Sequence, residues 1–113
     1  MLNVYGIKNC DTVRKALKWL ETQGIAYTFH DFRKEGLDPA LVQKWIDVIG
    51  WESVLNRRST TWRKLAENDK NNIDKASAIQ LMSEHPTLVK RPIFEDKGIV
   101  IQGFTDDVRA RLS

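Results

Sequence analysis

Between Leu2 and Phe32 the chain compresses a strand, a helix and a second strand into very little sequence. Leu2 to Tyr5 alternates weakly and runs into a turn at Gly6. Val13, Ala16, Leu17 and Leu20 then fall at the i, i+3, i+4, i+7 spacing of one apolar helix face, with Arg14, Lys15 and Lys18 off it. Gly24 stands where a C-terminal cap belongs, and Ile25 to Phe32 reads as the second strand. One helix between two neighbouring strands is the connection that parallel pairing requires, and such crossovers are right-handed. The opening therefore commits the chain to an α/β class and a βαβ unit.

The middle changes to helix. Asp38-Pro39 is an N-cap followed by proline at the first helical position, and Leu41, Val42, Trp45, Ile46 and Ile49 form a stripe that stops at Gly50. Shorter helices are expected over about 60–67 and from Asp74 to about Glu84, the latter ended by His85-Pro86. In the last third, Pro92 to Glu95 and Ile99 to Gln102 flank the hairpin signal Asp96-Lys97-Gly98. Thr105, Asp106 and Asp107 cap a final helix ending near Leu112. The expected order is β-α-β, a helical insertion at about 38–86, and β-β-α. That order makes a four-stranded mixed sheet flanked by helices, in one domain over residues 1–113.

Charge and composition narrow the function classes. The 113 residues are 42% hydrophobic and 29% charged, a soluble globular balance. The net charge of +3 comes from 18 basic and 15 acidic residues mixed along the chain. This favours anionic ligands weakly, and the basic residues form no stripe of the kind that binds nucleic acid. Nothing in the sequence reads as a signal peptide or a bilayer-spanning stretch, so a cytoplasmic protein without membrane or nucleic-acid partners is expected, with a monomer as the default.

The single cysteine, Cys10, excludes an internal disulfide. It lies in the turn between the first strand and the first helix, where free backbone N–H groups and the helix dipole favour an anion. Lys8 and Arg14 add positive charge, Asp11 opposes them, and Asn9 adds a polar neighbour. A thiolate is such an anion, so Cys10 is the candidate nucleophile, against the plainer alternative of a buried structural thiol. The position three residues later is Val13, which rules out a dithiol cycle within one chain. A mixed disulfide on Cys10 then has to be resolved by an external thiol.

Other motifs are less specific. Arg91-Pro92-Ile93 opens the third strand, where proline is ordinary. A cis peptide there would turn the preceding backbone and Arg91 toward the cysteine loop. Asn56 to Trp62 packs Arg57, Arg58, three hydroxyls and an indole before a helix start, a segment able to bind an anion or simply to be a solvated, capped loop. His30 and His85 have no partners at metal-ligand spacing, and structural roles are expected for both. Trp19, Trp45, Trp51 and Trp62 are expected in or at the edge of the core.

Together these motifs resemble, end to end, the ArsC-like family of the thioredoxin superfamily, which includes arsenate reductases, Spx regulators and YffB-type proteins. Gly6 to Arg14 is similar to the family's G-x-x-x-C-x-x-x-[RK] loop, Arg91-Pro92-Ile93 to its R-P-I segment, and Asn56 to Trp62 to a segment of the YffB branch. The resemblance implies a thioredoxin-like fold, a nucleophilic Cys10, a cis Pro92, an oxyanion-binding role for Arg91, and a second such arginine at Arg57 or Arg58. Two departures count against arsenate reduction: Gln102-Gly103-Phe104 occupies the region of a third arginine, and Ile7-Lys8 replaces Asn-Pro in the loop. Val13 in place of a second cysteine counts against a C-x-x-C switch of the Spx kind.

The expected activity is that of a glutathione-dependent thiol reductase. Cys10 is its nucleophile, and Lys8, Asn9, Arg14, Arg57, Arg58, Arg91 and Pro92 are its candidate substrate or anion contacts. Glutathione is expected as co-substrate, or another small thiol in its place, with glutaredoxin as a further candidate partner. No metal and no tightly bound cofactor is expected. The alternatives are an arsenate reductase coupled to glutathione and glutaredoxin, and an Spx-like partner-binding regulator.

Overall fold

The computed structural model describes residues 2–112. Its elements begin with β1 (Leu2–Gly6), α1 (Asp11–Thr22), β2 (Tyr27–Asp31) and α2 (Phe32–Glu35). The middle contains α3 (Pro39–Ile49), α4 (Trp51–Val54), α5 (Thr60–Lys64), α6 (Glu67–Asn71) and α7 (Lys75–Glu84), then a 3₁₀ turn at Pro86–Leu88. Strands β3 (Ile93–Asp96) and β4 (Ile99–Gln102) and helix α8 (Asp106–Leu112) follow. The chain divides into two compact units: one joins the N-terminal part through Glu35 to the part from Arg91 onward, and the other is Gly36–Lys90.

The first unit is a four-stranded mixed sheet in the order β2-β1-β3-β4. β1 pairs parallel with β2 and antiparallel with β3, and β3 pairs antiparallel with β4. Strand alternation puts Leu2 and Val4 on one face, and the register aligns Val4 with Phe94 and Phe94 with Ile101 on that same face. Ala16 and Leu20 from α1 and Val108 from α8 complete this core. Leu20 and Val4 are wholly buried, and the burial of each side chain contributes about 1.5–3 kcal/mol.

The other face of the sheet is partly polar. Tyr5 and His30, paired in the β1–β2 register, stack with ring centroids 4.7 Å apart. His30 Nε2 lies 3.0 Å from Asn3 Oδ1, and its Nδ1 lies 3.1 Å from Glu35 Oε1. Burial, followed by the negative charges of Glu95 and Glu35, raises the Tyr5 phenol above its ordinary value. The structural role expected for His30 is thus filled by defined partners.

Local chemistry explains where elements start and stop. After α1 the Ile25 N–H donates to the Leu20 carbonyl at 3.0 Å and the Gly24 N–H to Glu21 at 3.2 Å, with Gly24 at φ 69°. This is a Schellman cap, and because it uses Ile25, β2 begins at Tyr27, later than the Ile25 start expected from the sequence. At the far end Asp31 Oδ1 accepts the Arg33 N–H at 2.9 Å, so Phe32 turns into α2 instead of extending the strand. Between β3 and β4, Lys97 and Gly98 both have positive φ, as a two-residue type I′ turn demands.

In the second unit Asp38 caps α3, its Oδ1 accepting the Ala40 N–H at 2.9 Å. Val42, Trp45 and Ile46 on α3 and Ala78 and Met82 on α7 are buried. An Asp47–Lys75 ion pair at 2.6 Å links α3 to α7. The single helix expected over about 60–67 is two short ones, because Leu65 and Ala66 both adopt extended backbone. Helices of four or five residues such as α4 and α6 are below the length at which periodicity is readable, and they persist only through tertiary contacts.

Gly6 is where this architecture is tightest. A Cβ built there would lie 2.8 Å from Val13 Cγ2 and 3.2 Å from Cγ1, and Val13 is wholly buried and stiff at χ1. Gly6→Ala is expected to destabilise the protein by about 1–3 kcal/mol in chemical denaturation. Pairing it with Val13→Ala should recover part of that loss, and strictly additive effects would show that the two sites do not touch.

Acid provides a second test. The backbone and hydroxyl hydrogen bonds of Ser77 in the α7 capping box hold the Asp74 carboxyl below its ordinary 3.8. A lowered folded-state value adds stability that is complete above the ordinary value and lost as pH falls through the lower one. Asp74→Asn should therefore flatten the acid limb of the stability profile below pH 3.8. An unchanged acid limb would remove Asp74 from that role.

Candidate active site around Cys10

Cys10 is the N-cap residue of α1, with extended backbone at φ −91° and ψ 124°. The turn that delivers it is closed by the Cys10 N–H donating to the Ile7 carbonyl at 3.1 Å, and the Cys10 carbonyl accepts the Arg14 N–H at 3.0 Å. At this position serine or aspartate ordinarily offers an oxygen to the first-turn amides; Cys10 makes no such side-chain bond. The opening amides of a twelve-residue helix are thus left without a side-chain cap, beside a free, half-buried thiol. That combination suits an anion, either the thiolate or an oxyanion under attack.

Lys8 and Asn9 occupy the turn and are exposed. The Arg14 guanidinium pairs with the Asp11 carboxylate across the first turn of α1, both groups being largely exposed. The opposing charges expected around Cys10 are therefore partly joined to each other, which leaves Lys8 as the cation of the turn outside that pair. An exposed pair of this kind contributes little to stability.

Arg91 and Pro92 belong to the same unit, and their peptide bond is cis. The register that pairs Tyr5 with Ile93 continues toward Gly6 and Pro92, so the cysteine loop leaves β1 at the end of the sheet where Arg91-Pro92 enters β3. The Pro92 carbonyl accepts the Gly103 N–H at 2.9 Å, and Gln102 pairs with Ile93. Gln102-Gly103 thus lies beside Pro92-Ile93 in the sheet.

Arg57 and Arg58 belong to the second unit, in the loop between α4 and α5. The Arg57 guanidinium carbon lies over the Trp51 ring at 5.7 Å and over the Trp62 ring at 5.8 Å. Arg58 is exposed, and its backbone N–H donates to Asn56 Oδ1 at 3.1 Å. Ser59 Oγ accepts the Trp62 N–H at 3.1 Å, so α5 carries its own cap. The double indole contact was not legible in the sequence, because Trp51 and Trp62 lie on different short helices with Arg57 in the loop between them.

The ArsC family model matches residues 5–111, nearly the whole chain. The chain belongs to the ArsC family. Its structure superposes with a TM-score of 0.94 on a protein named YffB, 43% identical over 99% of this chain and 98% of that one. An arsenate reductase (ArsC) related protein from Brucella melitensis is 47% identical, with a TM-score of 0.79 over 97% of this chain and 92% of that one. The global transcriptional regulator Spx of Streptococcus agalactiae is 30% identical over 99% of this chain and 83% of its own length. The thioredoxin-like ArsC fold expected from the motifs is the fold observed, with its β-α-β and β-β-α halves in one mixed sheet. Among the described residues no helix is long and apolar enough to cross a membrane, and no group of three His, Cys, Asp or Glu is placed to hold a metal.

The Asp11–Arg14 pair yields a prediction. Asp11→Asn removes the anion next to Cys10 and releases Arg14, so iodoacetamide should alkylate Cys10 about two- to threefold faster at pH 7 and low salt, as expected for one exposed charge. Raising the ionic strength should shrink the difference. An unchanged or slower rate would mean that these charges do not govern the thiol.

Proposed function

We propose that this ArsC-family protein is a cytoplasmic thiol oxidoreductase with Cys10 as its nucleophile and glutathione as the resolving thiol. The observation that carries the reading is a lone thiol at the N-cap of a long helix whose first amides have no side-chain cap. In the first step the Cys10 thiolate attacks one sulfur of a substrate disulfide. A Cys10–S–S–R bond forms, the substrate S–S bond breaks, and the second sulfur departs as a thiolate that takes a proton from water. In the second step a glutathione thiolate attacks the R sulfur, giving the glutathione mixed disulfide and returning Cys10 as thiolate. Electrons thus pass from glutathione to the substrate, and no second protein thiol is needed.

The helix-start amides and Lys8 stabilise the thiolate in this scheme, and Arg91 offers a guanidinium fork to a carboxylate of glutathione. Val13 supports the external thiol: the position that a second cysteine would need is wholly buried against Gly6. The similarity to an arsenate reductase related protein of Brucella melitensis makes arsenate the alternative substrate to test.

Treatment of the wild type with oxidised glutathione should add one glutathione per chain at Cys10, read by intact-mass spectrometry, and Cys10→Ser should add none. Reduced glutathione should then remove the adduct. A wild type that never forms the adduct overturns the reading. Turnover of arsenate above the Cys10→Ser background, in the presence of glutathione and glutaredoxin, would move the assignment to arsenate reduction.

A further inference from the structure

We propose that a cavity at the end of the sheet away from Cys10 binds a free apolar α-amino acid, with the side chain inside and the two charged groups of the ligand on Asp96, Lys97 and Arg111. The inference is independent of the thiol reading above, because every residue it uses lies at the other end of the first unit. β1 runs from Leu2 to Gly6, about 13 Å at strand rise, before the Cys10 turn begins.

The cavity has a volume of about 200 Å³. Leu2, Phe94 and Ile101 line it from the sheet, and the half-buried Ile25 after α1 and Leu112 at the end of α8 line it from the helices. A void of this size is unusual beside a close-packed core. It is smaller than the ~300–1,000 Å³ of sites for drug-sized ligands, and it equals the share of about six or seven waters at ~30 Å³ each. That is room for one aliphatic side chain. Ile99 also borders the cavity and is 56% exposed, so an apolar group seated there would take it out of water.

Charge selects the rest of the ligand. Asp96, Lys97 and Arg111 line the same cavity, and among the described residues none of the three is in an ion pair. Strand alternation places Asp96 on the face of Phe94, Ile99 and Ile101. Lys97 is fixed by the turn, with φ at 51° and Gly98 at 82°. Opposite charges left unpaired around an apolar cavity complement a ligand that carries both signs. A plain carboxylate leaves Asp96 unmatched, and a plain amine leaves both cations unmatched. A zwitterion meets all three.

The test uses the full chain with ¹³C-labelled isoleucine and leucine methyls, read by NMR, and L-leucine as the probe. Leucine should shift the methyls of Leu2, Ile25, Ile99, Ile101 and Leu112 saturably, with a Kd at or below about 1 mM, and should leave Ile7 beside Cys10 unmoved. Two analogues each delete one charge. 4-Methylpentanoate lacks the ammonium and isoamylamine lacks the carboxylate, and each should bind about two- to fivefold more weakly, as expected for one exposed ion pair. Asp96→Asn should weaken leucine and tighten 4-methylpentanoate, whereas Arg111→Gln and Lys97→Asn should weaken both. Such a crossover is not produced by a loss of fold, which would move both ligands the same way. No saturable shift with leucine, shifts centred on the Cys10 turn, or an Asp96→Asn variant that changes both ligands in one direction would each overturn the inference.

Discussion

The contact between Gly6 and Val13 is the constraint on which the first unit depends. β1 has to end, turn and enter α1 while that helix lies close enough to bury Val13, Ala16 and Leu20 completely. Only a residue without a Cβ permits that approach, because the nearest methyl of Val13 would otherwise stand at 2.8 Å. Bringing the helix in tightly fixes the short turn Ile7 to Cys10, and the turn in turn fixes the thiol at the N-cap. Core packing and the placement of the thiol are therefore one geometric fact.

The same seam bears on the redox chemistry proposed for the chain. In a dithiol cycle the resolving cysteine sits on the helix one turn after the nucleophile. Here that position is Val13, whose side chain is wholly buried. A thiol in its place would be smaller, would loosen the contact with Gly6, and would face the core instead of Cys10. In the proposed reductase a partner thiol from solution leaves this packing intact, and recognition by arginine would suit a small thiol that carries carboxylates.

Much of this was legible in the sequence because the signals were local and redundant. The 3.6-residue spacing of Val13, Ala16, Leu17 and Leu20, the Asp38-Pro39 cap and the Asp96-Lys97-Gly98 turn each fix an element by themselves, and each element formed where it was expected. Boundaries moved where capping chemistry overrode pattern, as at Ile25, which closes the Schellman cap, and at Phe32, which the Asp31 cap draws into a helix. Contacts between elements had no such signal. The Tyr5–His30 stack depends on strand register, and the indole contacts of Arg57 depend on how two helices of four and five residues are set. The pairing of Arg14 with Asp11 was readable in principle from i, i+3 spacing, and it sets the two opposite charges of the loop against each other.

Charge around Cys10 is accordingly spare. With Arg14 engaged by Asp11, the cation in the turn is Lys8, an exposed point charge on a flexible stem. The fixed contribution comes from the backbone: amides at the start of α1 that point toward the cap position and, having no side-chain partner, are available to whichever anion arrives. A site that relies on main-chain dipoles keeps its preference for anions through most side-chain changes in the loop, and it discriminates little among anions of similar size. In the proposed reductase, choice of substrate then falls to groups farther from the sulfur. On the sheet the groups at that end are Arg91 and the Gln102-Gly103 pair beside Pro92-Ile93.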